Sequence, residues 1–229
     1  MIDLHTHILP CMDDGSRSVD ESTKMLRMTF EQGIDTLALT PHFYAWRESP
    51  SSFLRRRRNA MEQIVCEEPA CRLLLGAEVA YFSGISHCEE LSNLRIGNTE
   101  LVLIEMPFHE WSRTALKDVS SIHNHLGLVP VLAHIERYRK LPGYYEALAE
   151  LRQAGVLMQC NAATLLQPLL GRAFMRMLRD GEVHFLGSDC HNLNNRPPNL
   201  AEAVHKLKNA IGQHRYSDFD AATRKLLGF

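Results

Sequence analysis

Seven short apolar runs, near residues 1 to 4, 35 to 40, 72 to 79, 100 to 105, 129 to 133, 156 to 160 and 183 to 188, punctuate the chain and restrict how it can fold. Each has the length and β-character of a strand rather than a helix. Most intervals between them carry a helical period: Val19, Ser22, Leu26, Thr29 and Phe30 mark one stripe ahead of Gly33, and Leu148, Leu151 and Arg152 another ahead of Gly155. Strand and helix therefore alternate. Leu101-Val102-Leu103-Ile104 and Val129-Pro130-Val131-Leu132-Ala133 are apolar at every position, so both faces of those strands need covering, as in a parallel sheet under helices. The expected fold is α/β, a closed or nearly closed barrel of seven βα units. An open doubly wound sheet satisfies the same alternation.

The chain has 229 residues, 45% of them hydrophobic, which suits one large unit over residues 1–229, and it shows no internal repeat or linker. With 25 basic against 27 acidic residues the formal charge is -2, so composition makes no case for nucleic acid or an anionic membrane as partner. No run approaches ~18 uninterrupted apolar residues and the N-terminus carries no leader pattern, so no membrane insertion and a cytoplasmic location are expected. Cys11, Cys66, Cys71, Cys88, Cys160 and Cys190 lie scattered without C-x-x-C spacing, as reduced thiols do.

Given those strands, a set of metal-binding residue types falls at one repeated position, just beyond the strand ends. His5 and His7 follow the first strand and His42 the second; Glu78 ends the third and Glu105 the fourth. His134 follows the fifth, and Asp189 and His191 the seventh, while Asp14 lies in the first βα loop. In a βα barrel all these ends converge on one face, so distant residues become neighbours. Nine nitrogen and oxygen donors exceed what one ion needs, and they suit a cluster of two or three divalent ions, with manganese, iron or zinc compatible. Singly, each of these residues would more often be a surface or hydrogen-bonded group.

The motifs His5-Thr6-His7-Ile8-Leu9-Pro10 with Asp13-Asp14-Gly15, Thr40-Pro41-His42, Gly76-Ala77-Glu78, Ala133-His134-Ile135-Glu136-Arg137-Tyr138 and Ser188-Asp189-Cys190-His191-Asn192 resemble the polymerase and histidinol phosphatase (PHP) superfamily. Within it, His191-Asn192-Leu193 followed by Arg196-Pro197-Pro198-Asn199-Leu200 looks most like the manganese-dependent protein-tyrosine phosphatases of bacterial capsule and exopolysaccharide loci. The resemblance spans residues 1 to about 200. It implies a distorted (βα)7 barrel, three metal ions with manganese favoured, and the same nine ligands. It also implies phosphate binding by Arg137 and Arg196, and a phosphotyrosine-bearing tail of a bacterial tyrosine kinase as substrate. Two positions depart from the pattern: Cys11 stands where glycine is usual, and Ile135 where proline commonly follows the histidine. Asp13 competes with Asp14 for the ligand role.

Such a site implies metal-bound hydroxide attacking phosphorus in line, with the arginines stabilising the spreading charge. The rival chemistry is a cysteine nucleophile, since Cys190 with Arg196 and Cys66 with Arg72 both fit C-x5-R. Neither loop has the glycines that turn backbone N–H groups towards phosphate. Arg55-Arg56-Arg57-Arg58 radiate around a helix, which favours a solvated face over a nucleic-acid patch and leaves docking of an acidic tail open. Phe43, Tyr44, Trp46, Phe108 and Trp111 gather near the mouth, either to stack on an aromatic leaving group or to close the rim. Other functions carried are a small-molecule phosphomonoesterase such as histidinol phosphatase, action on a nucleic-acid end, and a non-catalytic metal-binding scaffold. Subunit number, a homo-oligomer included, stays open.

Overall fold

The computed structural model describes residues 1–64 and 71–229; Cys66, and with it the Cys66/Arg72 pairing, lies outside the described residues. The strands are β1 (Ile2–Asp3), β2 (Thr36–Leu39), β3 (His42–Phe43), β4 (Arg72–Leu75), β5 (Glu78–Ala80), β6 (Leu101–Glu105), β7 (Val129–Leu132), β8 (Leu157–Asn161) and β9 (Phe185–Gly187). Every pairing among them is parallel. They form one sheet in the order β1-β2-β4 and another in the order β3-β5-β6-β7-β8-β9.

The two sheets are parts of one wall. β2 and β3 are stretches of a single stave interrupted at Thr40-Pro41, and β4 and β5 of another interrupted at Gly76-Ala77. Register does not slip across the interruptions: Leu39 lies opposite Leu75, and His42 opposite Glu78. Seven staves result, at the seven apolar runs. Leu4 N–H donates to Leu186 O (3.1 Å), Asp189 N–H to His5 O (2.8 Å) and His7 N–H to Cys190 O (2.9 Å), so the last stave joins the first. An open sheet would leave those edges unpaired. Across this seam the pairing offset grows by one residue between Leu4 and His7, a β-bulge centred on Asp189, whose φ is +53°.

Helices α1 (Val19–Glu31), α2 (Pro50–Glu62), α3 (Arg113–Leu126), α4 (Tyr144–Gln153), α5 (Ala162–Leu166), α6 (Pro168–Arg179), α7 (Leu200–Ile211) and α8 (Gln213–Leu226) fill the intervals. Local chemistry sets their starts. Ser18 caps α1 by accepting the Glu21 N–H, with Asp20 and Glu21 in the first turn, where negative charge suits the helix dipole. Ser49 with Pro50 starts α2 in the same manner.

Two apolar layers follow. Leu4, Ala38, Leu103, Val131, Ala133 and Phe185, from five different staves, touch one another and so must fill the barrel interior below the mouth. Their chain neighbours Leu37, Leu39, Val102, Ile104, Leu132 and Leu186 belong to the larger layer packed with the helices.

The arginine run departs from a solvated face. Phe53, Arg57 and Ala60 share the buried side of α2, and the Arg57 guanidinium donates to Gly76 O (2.6 Å) and Asn93 O (3.4 Å). Arg56 reaches Met12 O (2.5 Å) and pairs with Glu48, holding the first βα loop. Arg55 and Arg58 alone are exposed.

Candidate metal centre

The backbone brings all nine expected donors to one mouth. Glu78 is the hub: its Oε2 lies 3.2 Å from His5 Nε2, 3.2 Å from His7 Nε2 and 2.9 Å from His42 Nδ1, and its Oε1 lies 2.8 Å from His134 Nε2. Asp189 Oδ1 is 3.6 Å from His5 Nε2 and 3.4 Å from His7 Nε2. Asp14 Oδ1 is 3.6 Å from His42 Nε2 and 3.5 Å from His191 Nε2, while Glu105 lies 3.3 Å from His134 and 3.9 Å from His42. Three groupings therefore have donor atoms all within 4.8 Å: His7, Asp14, His42 and His191; His5, His7 and Asp189; and His42, Glu78 and Glu105. His134 stands outside these three groupings, on the far side of Glu78.

Backbone strain and close approach build this geometry. Val131 and Ala133 face the interior and Leu132 the helices, so strict alternation would send His134 outward. Its left-handed backbone, φ +33°, returns the ring to the mouth. A Cβ on Gly187 would stand 2.5 Å from His5 Cβ, and one on Gly15 2.3 Å from His7 O, so both histidines need a glycine against them.

Each inner imidazole is also fixed from behind. His7 Nδ1 lies 2.7 Å from Asp13 Oδ2, His5 Nδ1 3.2 Å from Gln159 Oε1, and His191 Nδ1 2.9 Å from Asp189 O. Such partners set the tautomer and leave Nε2 for the mouth. Asp13 further accepts the His42 N–H (2.8 Å) and Gly15 N–H (2.9 Å), whereas the Asp14 side chain is 69% exposed and makes only the long contacts given above. The two neighbouring carboxylates thus occupy different places, Asp13 behind His7 and Asp14 facing His42 and His191.

Charges in the mouth compensate. Burial opposes ionisation of Glu78, but the imidazoles of His5 and His42 outweigh it and hold its carboxyl well below the ordinary range. Burial likewise works against a charged His134, and its bonds to Glu105 and Glu78 push it up to about 9 instead. His191 goes the other way, down to about 4, through burial and the neighbouring His7.

Arg137 stands on the short 3-10 helix Ile135–Tyr138, and Arg196 follows the last stave. Both guanidinia converge on Asp189 Oδ2, Arg196 at 2.5 Å, and Asn161 Nδ2 joins them at 2.8 Å. Cys190 points away into the core and is fully buried, and burial pushes its thiol up to about 12. No thiolate is available there, which disposes of its C-x5-R match.

Gln159 and Asn161 are the residues that sequence reasoning missed. Gln159 accepts the His134 N–H (2.7 Å), faces His5, and donates to Asn161 Oδ1 (2.9 Å), while Asn161 reaches Asp189. The signal lay in alternation: two polar residues two positions apart on a parallel strand, whose neighbours Met158 and Cys160 join the outer core.

A donor-lined mouth on a seven-stave parallel barrel is the distorted barrel of the PHP type that the resemblance implied. The family model for capsular polysaccharide synthesis, CpsB/CapC, matches residues 1–223, and the chain belongs to that family. Tyrosine-protein phosphatase CpsB of Streptococcus agalactiae serotype III is 30% identical over 229 residues, covering 94% of this chain and 93% of its own. Tyrosine-protein phosphatase YwqE of Bacillus subtilis is 29% identical over 221 residues, covering 93% and 85%. Among solved structures, one from the pair YwqE of Bacillus subtilis and CpsB of Streptococcus pneumoniae, described as metal-dependent tyrosine phosphatases, superposes with a TM-score of 0.83 at 27% identity. It covers 99% of this chain and 94% of that one.

Proposed function

We propose that residues 1–229 form one metal-dependent protein-tyrosine phosphatase unit, acting in the cytoplasm on the phosphorylated tail of a bacterial tyrosine kinase that controls capsule or exopolysaccharide synthesis. The names of the relatives support the substrate class, and one feature of the mouth carries the metal reading. Glu78 Oε2 is buried with three imidazole nitrogens within 3.2 Å, yet accepts a hydrogen bond from none of them. His42 Nδ1 and His191 Nε2 are also buried without a hydrogen bond, and His5 Nε2 faces His7 Nε2 at 3.1 Å. Leaving one such group unsatisfied costs about 1–3 kcal/mol, so this many unmatched donors in one cup fit cations rather than one another.

His5, His7, Asp14, His42, Glu78, Glu105, His134, Asp189 and His191 would hold three divalent ions. Mixed imidazole and carboxylate donors suit manganese, with iron or zinc as the alternatives. Such ions supply positive charge for phosphoryl oxygens and make water acidic enough to attack phosphorus. Arg137 and Arg196, already gathered at one carboxylate oxygen, present two planar forks to the remaining phosphoryl oxygens. Gln159 and Asp13 hold His5 and His7 in place throughout. A departing phenolate, with a parent pKa of about 10, needs little acid assistance.

The test is phosphate release from an aryl phosphate with and without manganese. Turnover abolished by a chelator, restored by metal, and reduced about 100-fold by Arg196→Ala is the expected outcome. No turnover with any divalent metal would instead fit the non-catalytic scaffold.

A further inference from the structure

The aromatic residues near the mouth divide into two groups. Phe43 is buried edge-on against Phe53 (5.3 Å), and Trp111 packs edge-on against Tyr138 (4.9 Å) with its indole N–H given to Pro107 O (2.9 Å). Those two serve packing. Tyr44 instead lies nearly flat on the His42 ring (5.2 Å, 24° between planes), and Trp46 stands 5.0 Å from Tyr44 with 64% of its surface exposed. Phe108 lies nearly parallel to the His134 ring (5.9 Å, 18°) and is 57% exposed. Trp46 and Phe108 thus offer large aromatic faces to water beside a polar cup, where an aromatic leaving group would arrive.

Their positions say which ligand. His42 contacts Oε2 of Glu78 (2.9 Å) and Oε2 of Glu105 (3.9 Å), while His134 contacts Oε1 of the same two residues (2.8 and 3.3 Å). The two imidazoles therefore take different oxygens of one pair of carboxylates, and an aromatic ring stacks on each imidazole. An ester whose phosphoryl group sits over those carboxylates carries its leaving group up between the stacks.

We infer that Trp46, resting on Tyr44, and Phe108 form the two walls of a slot for the aryl ring of the substrate, selecting aryl over alkyl phosphoesters. This rests on the phosphatase reading of the site. A phosphotyrosine carries its phosphate on the far edge of a rigid ring, so the ring comes level with the walls and the peptide backbone stays outside. The short alkyl arm of a phosphoserine would press the backbone against both walls and leave the slot empty.

The metal-loaded enzyme and its Trp46→Ala, Phe108→Ala and Phe108→Tyr variants would be compared for kcat/KM on p-nitrophenyl phosphate and on glycerol 2-phosphate. Inhibition by phenylphosphonate and by methylphosphonate gives a second readout that needs no cleavage of the inhibitor. Each alanine variant is expected to lower the aryl-to-alkyl ratio about fivefold to tenfold and to lose the phenyl preference among phosphonates, with Phe108→Tyr retaining both. Aryl-to-alkyl ratios unchanged in both alanine variants would overturn the slot. Failure of the underlying reading looks different: the loaded wild type would cleave neither ester. A phenyl preference in direct phosphonate binding, lost in both alanine variants, would then still support the slot.

Discussion

Asp13→Asn and Asp14→Asn, adjacent and chemically identical changes, should behave differently because the two carboxylates stand in different surroundings. Asp13 is buried and accepts three hydrogen bonds, from His7 Nδ1–H (2.7 Å), His42 N–H (2.8 Å) and Gly15 N–H (2.9 Å). Burial alone would raise its carboxyl, but the His7 imidazole beside it holds it far below the ordinary range, so these are bonds to a charge. An asparagine can keep its carbonyl on one donor and must turn its own N–H2 towards another. With charged hydrogen bonds worth about 1.5–3 kcal/mol each, the loss should be about 3 kcal/mol. At ~2–4 °C per kcal/mol for a chain of this size, the metal-free Tm falls by about 6–12 °C. Asp14, largely in solvent, should move it by no more than about 2 °C.

Metal binding, measured by titration calorimetry with manganese, weakens in both variants. Asp14→Asn removes a proposed donor, and Asp13→Asn frees the His7 ring, at a cost of about 10- to 100-fold in affinity. The sign with pH follows from the depressed carboxyl. Its contribution is complete above the ordinary carboxylate value near 4 and fades as pH falls below it, so Asp13→Asn should flatten the acid limb of the stability curve. Equal Tm losses for the two variants, or a larger loss for Asp14→Asn, would refute the division of roles.

Cys190→Ser should leave kcat/KM on an aryl phosphate unchanged while a chelator abolishes it, because the thiol is buried in the core away from the mouth and burial opposes its ionisation; a variant dead with metal present would restore the cysteine mechanism. Cys11 sits at φ +56°, where a side chain costs about 1 kcal/mol that glycine avoids; the extra chain entropy that glycine loses on folding takes back about half of that, so Cys11→Gly should raise Tm slightly, by about 1–2 °C in a thermal melt. Arg57→Ala should cost about 3 kcal/mol in urea denaturation and Arg58→Ala less than about 0.5 kcal/mol, since of the two only Arg57 answers the buried carbonyl of Gly76.

The staves were readable because a strand buried on both faces must be apolar throughout, and the donors because a parallel barrel sends every strand end to one face. What lay hidden was hidden for physical reasons. Gln159 sits inside an apolar run and looks like noise until alternation assigns it to the inner side. Arg57 reads as one of four alike, although its helical spacing from Phe53 and Ala60 already placed it inside. Asp13 and Asp14 differ by one residue in a loop, where no period predicts direction. The aromatic group could not be divided from sequence, because Phe43 and Tyr44 are neighbours and only Phe43 falls within the two-residue strand. Cys11 and its missing glycine were visible as a departure, and the left-handed backbone there supplies the reason glycine is favoured.

The packed interior beneath the mouth has a kinetic consequence. Leu4, Leu103, Val131 and Phe185 seal the barrel from below, so whatever enters must leave by the same opening. In the proposed reaction the inorganic phosphate lies deeper than the phenol and is gripped by two arginines, so the phenol departs first and the phosphate last. Ordered release of this kind makes free phosphate a competitor of incoming ester, and ties the pace of the cycle to how quickly the cup empties.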